Sequence, residues 1–169
     1  MYLSPNNTGQ VLIYPYYTVQ SADGNSWNTY LSVVNTTSRA KAVKVRILEG
    51  KTSSEVLDFN LFLSANDVWT AAIVPSSSAA GAPGHIITTD VSCTNPAFPA
   101  AGVDFRNNQY ATGAGGVSLP GKGLDRTREG YVEILEMGVL SGSWEAAVTH
   151  ADGVPDDCTV VQGPAATPP

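Results

Sequence analysis

The stretches Thr29-Tyr30-Leu31-Ser32-Val33-Val34, Lys41-Ala42-Val43-Lys44-Val45-Arg46-Ile47-Leu48, Glu55-Val56-Leu57-Asp58-Phe59-Asn60-Leu61-Phe62-Leu63 and Val68-Trp69-Thr70-Ala71-Ala72-Ile73-Val74 decide the fold. Apolar residues recur in each at every second position, the rhythm of a strand with one buried face. Val43, Val45 and Ile47 point one way and Lys44 and Arg46 the other. Leu57, Phe59, Leu61 and Leu63 oppose Asp58, Asn60 and Phe62, and Trp69, Ala71 and Ile73 share a side. Helical spacing would scatter the same residues around an axis, so a helix is the poorer reading. Turn-forming residues at 35–38, 49–54 and 64–67 separate the strands.

Outward from this block, Gln10 to Val19 reads as a strand interrupted by Pro15. Proline has no ladder donor, so this strand lies at an edge, is bulged, or is divided between sheets. A turn over Ser21 to Ser26 leads to Trp27, which enters the strand ending at Val34. His85 to Val91, Tyr131 to Met137 and Trp144 to Thr149 supply further strands. Roughly seven or eight short strands at this spacing predict an all-β fold, specifically an immunoglobulin-like antiparallel β-sandwich. Val43, Val45, Ile47, Leu57, Phe59 and Leu61 would supply much of its core.

The chain has 169 residues, 43% of them apolar, which suits one core. We read residues 1–163 as a single domain with a long Gly- and Pro-rich loop insertion over 92–130, and 164–169 as a Pro/Ala-rich linker to a missing C-terminal part. Only 14% of residues are charged, and the net charge is −6. That balance argues against a nucleic-acid partner, which needs a basic face. Arg39, Lys41, Lys44, Arg46 and Lys51 lie within thirteen positions, and Lys44 and Arg46 share the outward face of a strand as a local basic stripe, most simply a solvated strand face. No apolar run reaches the length of a membrane span.

Cys93 and Cys158 form a candidate disulfide, which implies an oxidising compartment. Asp152, Asp156 and Asp157 offer carboxylates to a weak candidate Ca²⁺ site, although their spacing departs from the known loop pattern. His85 and His150 are the only imidazoles, and no nucleophile elbow accompanies them. Glu133 with Glu136, and Asp58 with Asp67, are carboxylate pairs of the kind a glycosidase uses, but Glu133 and Glu136 point to opposite faces of a strand. The glycines at 113–116 lack the Lys-Ser/Thr sequel of a phosphate loop. We expect no catalytic residues and no cofactor. Tyr14, Tyr16, Tyr17 and Tyr30, with Trp27 nearby, form a candidate binding face, because exposed rings stack on sugars or fill a partner's pocket. The Pro15-broken edge strand is a candidate for strand addition.

Several blocks carry a resemblance: Val11-Leu12-Ile13-Tyr14-Pro15-Tyr16-Tyr17-Thr18, Val33-Val34-Asn35-Thr36-Thr37, Ala40-Lys41-Ala42-Val43-Lys44-Val45-Arg46 and Leu48-Glu49-Gly50. Glu55-Val56-Leu57-Asp58-Phe59-Asn60, Asp67-Val68-Trp69-Thr70-Ala71-Ala72-Ile73 and Arg126-Thr127-Arg128-Glu129-Gly130 extend it. Together they resemble the N-terminal domain of a group of uncharacterised exported or cell-surface bacterial proteins. The resemblance implies export and a role at the envelope, and it brings no catalytic residues. The sequence therefore leads us to expect a secreted or surface-exposed, non-catalytic structural or adhesive module whose partner is a protein or glycan at the cell surface. A carbohydrate-binding module and a subunit of a self-assembling filament or surface layer are the rivals, and a hydrolase is the weakest.

Overall fold

Alternation in sequence becomes alternation in burial across the computed structural model, which describes residues 4–6, 8–22, 25–111 and 121–163. The glycine segment at 113–116, the linker at 164–169 and turn positions 23–24 lie outside the described residues. The early strands are β1 (Val11–Thr18), the short hairpin of β2 (Ser21–Ala22) and β3 (Asn25–Ser26), and β4 (Thr29–Val34). Next come β5 (Lys41–Glu49), β6 (Glu55–Leu63), β7 (Val68–Pro75), β8 (Gly84–Ile87), β9 (Thr94–Asn95) and β10 (Val103–Asp104). A short helix α1 (Asn108–Ala111) and a 3-10 turn over Leu124–Arg128 precede the long strand β11 (Glu129–Val139). The chain then forms α2 (Gly142–Val148), the two-residue strands β12 (His150–Ala151) and β13 (Val154–Pro155), and α3 (Thr159–Gln162).

Two antiparallel sheets result, one ordered β1-β11-β5-β6-β9 and the other β10-β8-β7-β4. Their inner faces meet in one core: Val43, Val45, Ile47, Phe59, Leu61 and Ile134 from the first, and Leu31, Val33, Trp69, Ile73 and Ile86 from the second. Phe59 and Trp69 bridge the layers with ring centroids 5.8 Å apart. Each such buried side chain contributes about 1.5–3 kcal/mol, so this cluster dominates the favourable side of folding.

A second apolar cluster explains one departure from the sequence reading. Phe62 faces away from Leu61 and Leu63, as alternation requires, yet it is buried. Ala40, Ala42, Leu140, Val148 and Val161 pack with it, together with the disulfide-linked Cys93. The C-terminal segment thus caps one end of the outer face of the five-stranded sheet.

The strand expected over Trp144 to Thr149 is corrected to helix α2. Its apolar residues stand at 144, 147 and 148, spaced by three and four, and Ala147 and Val148 are the buried pair. Seven residues are too few for a two-residue rhythm to be told from a helical one. The strand expected from His85 to Val91 ends at Ile87, leaving Val91 exposed. Trp27 lies before β4, with its backbone N–H donating to the Gln20 carbonyl at 3.0 Å, and its ring is exposed.

The described part of the 92–130 insertion is anchored to both sheets. β9 extends the first through Asn60↔Asn95 and Leu61↔Thr94, and β10 extends the second through Val103↔Ile86. Phe105 enters the main core and meets Tyr17 edge-on, with centroids 5.8 Å apart.

Candidate functional site

The outer faces of the two sheets differ in chemistry. On β11, β5 and β6, cross-strand ion pairs cover the surface: Arg46 with Glu55 at 3.0 Å and with Glu133 at 3.1 Å, and Lys44 with Asp58. Lys41 and Glu136, 2.9 Å apart, pair on the inward side at the end of the sheet. The basic stripe seen in the sequence is therefore matched by acids on both neighbouring strands. Such pairs contribute about 0–1 kcal/mol each, and they leave little net field for an anionic ligand. The carboxylates proposed as glycosidase pairs are engaged too, Glu133 by Arg46 and Asp58 by Lys44 on this face and Glu136 by Lys41 on the inward side.

On β4 and β7 the outward positions carry no charge, and the one ion pair of this face among the described residues, His85 with Asp104, lies beyond them on β8 and β10. Tyr30 pairs with Ala72, Ser32 with Thr70, Val34 with Val68, and Ala72 with Ile87 across the ladder. Tyr30 is 78% exposed, and Val34, Val68 and Ile87 are also open to solvent. The alternation that buries Leu31 and Val33 forces Tyr30, Ser32 and Val34 outward.

β4 also forms the margin of its sheet, and β1 forms the margin of the other. Side chains stitch the two: the Tyr14 hydroxyl donates to the Ser32 carbonyl, and the Thr29 hydroxyl donates to the Thr18 carbonyl at 3.1 Å. Between them runs a groove of about 740 Å³, lined by Leu12, Tyr14, Ser32 and Val34, reaching core residues Val43 and Ile134 and the Lys41–Glu136 pair.

The four tyrosines do not share one face. Tyr17 is fully buried, its hydroxyl donating to the Thr127 carbonyl at 3.1 Å, and burial pushes its phenol far above the ordinary range. Tyr14 is half-buried in the groove and is raised by burial as well. Tyr16 is exposed beside Glu129, and Tyr30 is exposed on the charge-free face.

The aspartates do not gather. Asp152 occupies the turn between β12 and β13 with φ +53°, and Asp157, just before α3, accepts from the backbone N–H and hydroxyl of Thr159. Among the described residues, no group of three or more His, Cys, Asp or Glu is placed to hold a metal ion. Cys93 and Cys158 are joined, with Cα atoms 5.2 Å apart.

Neither histidine is arranged as a general base. Both His85 ring nitrogens face oxygen acceptors, Asp104 Oδ1 at 2.7 Å and the Ala101 carbonyl at 2.8 Å, so neither offers a lone pair to a hydroxyl. His150 forms a trio with Ser64 and Asp67 that the sequence did not announce. Ser64 Oγ lies 2.8 Å from Nδ1 and the Asp67 carboxylate 3.6 Å from the same nitrogen. A triad needs the acid and the hydroxyl on opposite ring nitrogens, so this trio ties β12 to the β6–β7 turn instead.

The sequence reading also missed the most buried charged pair. Glu49, with no solvent exposure, accepts from Arg126 Nε at 3.0 Å, from the Thr52 hydroxyl at 2.7 Å, and from the backbone N–H groups of Lys51 and Ser54. The Arg126 guanidinium stacks over the Tyr110 ring, 4.2 Å from its centroid. Burial alone would raise the Glu49 carboxyl, yet these hydrogen bonds outweigh it and hold the group at about 2. A signal was present: Glu49 continues the inward series Val43, Val45, Ile47, and a carboxylate at an inward position demands a buried partner.

No family model matches the chain, and neither a curated protein nor a solved structure is similar to it. Among the described residues, no helix is long and apolar enough to cross a membrane.

Proposed function

We propose that this chain is a non-catalytic structural or adhesive module of an exported bacterial envelope or extracellular protein, working through the charge-free outer face of β4 and β7. One observation carries the reading. Tyr30, Val34 and Val68, with Ile87 beside them, stand exposed where β4 and β7 carry no charge, whereas the outer face of β5, β6 and β11 is ion-paired and capped. Exposed apolar residues gathered on one face mark interaction surfaces. The Cys93–Cys158 bond fits an extracellular setting. The single-domain reading and the immunoglobulin-like kinship belong to the same proposal. Two antiparallel sheets over one core support the latter at the level of architecture, with a strand order of the protein's own.

The test couples the purified protein to beads and measures retention on isolated bacterial envelopes. Tyr30→Glu, with an unchanged circular dichroism spectrum, should lower retention about tenfold, as expected for losing one aromatic anchor. Retention that is indifferent to Tyr30→Glu overturns the assignment of this face. A glycan-array signal abolished by Tyr16→Ala and not by Tyr30→Glu would put the carbohydrate-binding reading in its place.

A further inference from the structure

We propose that β4 is a self-pairing seam, at which two copies of this chain join edge to edge in antiparallel register with Ser32 on the twofold axis. The inference rests on the interaction face described above and names one of its partners, a second copy of the chain.

Backbone geometry supplies the first argument. In an antiparallel ladder, hydrogen-bonded and non-bonded pairs alternate. The Asn35 N–H donates to the Asp67 carbonyl at 2.9 Å, which places the bonded pairs of β4 and β7 at odd-numbered positions of β4. Thr70, opposite Ser32, agrees: its N–H and carbonyl are taken from the far side, by Asp90 at 3.3 Å and by the Thr88 hydroxyl at 2.6 Å. The N–H and C=O groups of Tyr30, Ser32 and Val34 therefore point out of the sheet. Among the described residues, the one partner they have there is the Tyr14 hydroxyl on the Ser32 carbonyl, which keeps a second lone pair.

The second argument is that the other margins are broken by proline and bulge or are very short, whereas β4, touched at Ser32 by the Tyr14 hydroxyl, is neither. β1 carries Pro15 and a register shift between Tyr14 and Tyr17, and β9 and β10 are two residues long. Short strands, prolines and bulges are the usual defences against edge pairing. β4 is six residues long and contains neither proline nor charge.

The third argument selects the occupant. About an axis through Ser32, Tyr30 faces Val34 of the other copy, and Ser32 faces Ser32. The aromatic and β-branched pair and the hydroxyl pair are both favourable cross-strand combinations. Each copy has a net charge of −6, so an approach through an uncharged strand brings no like charges into contact. The pattern is self-complementary, as an isologous interface requires.

Sedimentation and cysteine cross-linking test the seam on the intact chain. Wild type should sediment at twice the chain mass of 17.7 kDa at high concentration. Ser32→Lys, which sets two ammonium groups against each other on an exposed surface, should sediment at the chain mass with an unchanged spectrum. Oxidised Ser32→Cys should yield a covalent dimer reversed by reductant, because bonded antiparallel pairs hold Cα atoms about 5.5 Å apart, within disulfide reach. Val34→Cys alone should not cross-link, because its neighbour is Tyr30. A wild type at the chain mass at every concentration, a Ser32→Lys dimer, or equal cross-linking at both positions overturns the seam. A single-copy wild type that still binds envelopes removes this inference alone, and a paired chain that binds none removes the adhesive reading alone.

Discussion

Glu49 and Arg126, 77 positions apart, lock two distant segments together inside the protein, with their nearest charged atoms 2.7 Å apart. The same junction pairs Gly50 N–H with the Glu129 carbonyl at 3.1 Å and sets Glu49 opposite Gly130 in the ladder. The blocks Leu48-Glu49-Gly50 and Arg126 to Gly130, separate in the sequence reading, are one piece of structure. Removing Arg126 would leave a buried carboxylate uncompensated, a loss of about 3–5 kcal/mol. Urea unfolding of Arg126→Met should show that loss, and Glu49→Gln combined with Arg126→Met should recover part of it.

Glu49 also sets an acid limit. Its folded-state carboxyl lies at about 2, below the roughly 4.3 of an unfolded glutamate. A depressed value stabilises the fold fully above the unfolded pKa, and the contribution is lost as pH falls through the folded one. Between about pH 4.5 and 2 the protein should lose on the order of 3 kcal/mol from this group. Thermal melts across that range check it, and Glu49→Gln should flatten the slope.

Reducing the Cys93–Cys158 bond, which closes a loop of 65 positions, should destabilise by up to about 4 kcal/mol in the chain-entropy picture. The effect should be regional, because Phe62 and its neighbours form a cluster apart from the main core. Limited proteolysis under reductant should cut first within 142–162 and leave the two sheets protected.

A Cβ at Gly130 would overlap the Leu48 carbonyl oxygen and press on the Tyr17 ring. Gly130→Ala should therefore part β11 from β5 at that end and lower the unfolding midpoint well beyond the few tenths of a kcal/mol of an ordinary surface change. Val45→Asp, at a fully buried position, should abolish folding outright, read as loss of the strand spectrum.

The central strands were legible because the two-residue rhythm of 43–47 and 68–74 maps directly onto burial, with one face inward. Tyr17 was harder to place, because alternation from Leu12 and Tyr14 would send Tyr16 inward, and it is the bulge after Tyr14 that turns Tyr17 into the core instead. Phe62 was read on the correct side of its strand, but nothing local says that a segment some eighty residues downstream, at 140–161, covers it. The contributions of β9 and β10 rest on two residues each, below the length at which any periodicity exists. The sequence reading did not single out the outer face of β4 and β7. Its contrast with the opposite sheet emerged only once Glu55, Asp58 and Glu133 were seen to answer Lys44 and Arg46.

The kink that Pro15 imposes on β1 has a bearing on polymerisation. With that rim bent and the rims at β9 and β10 almost vestigial, β4 is the one long unbroken rim among the described residues. The proposed pairing would occupy that rim in both copies, so it predicts closed pairs rather than endless ribbons.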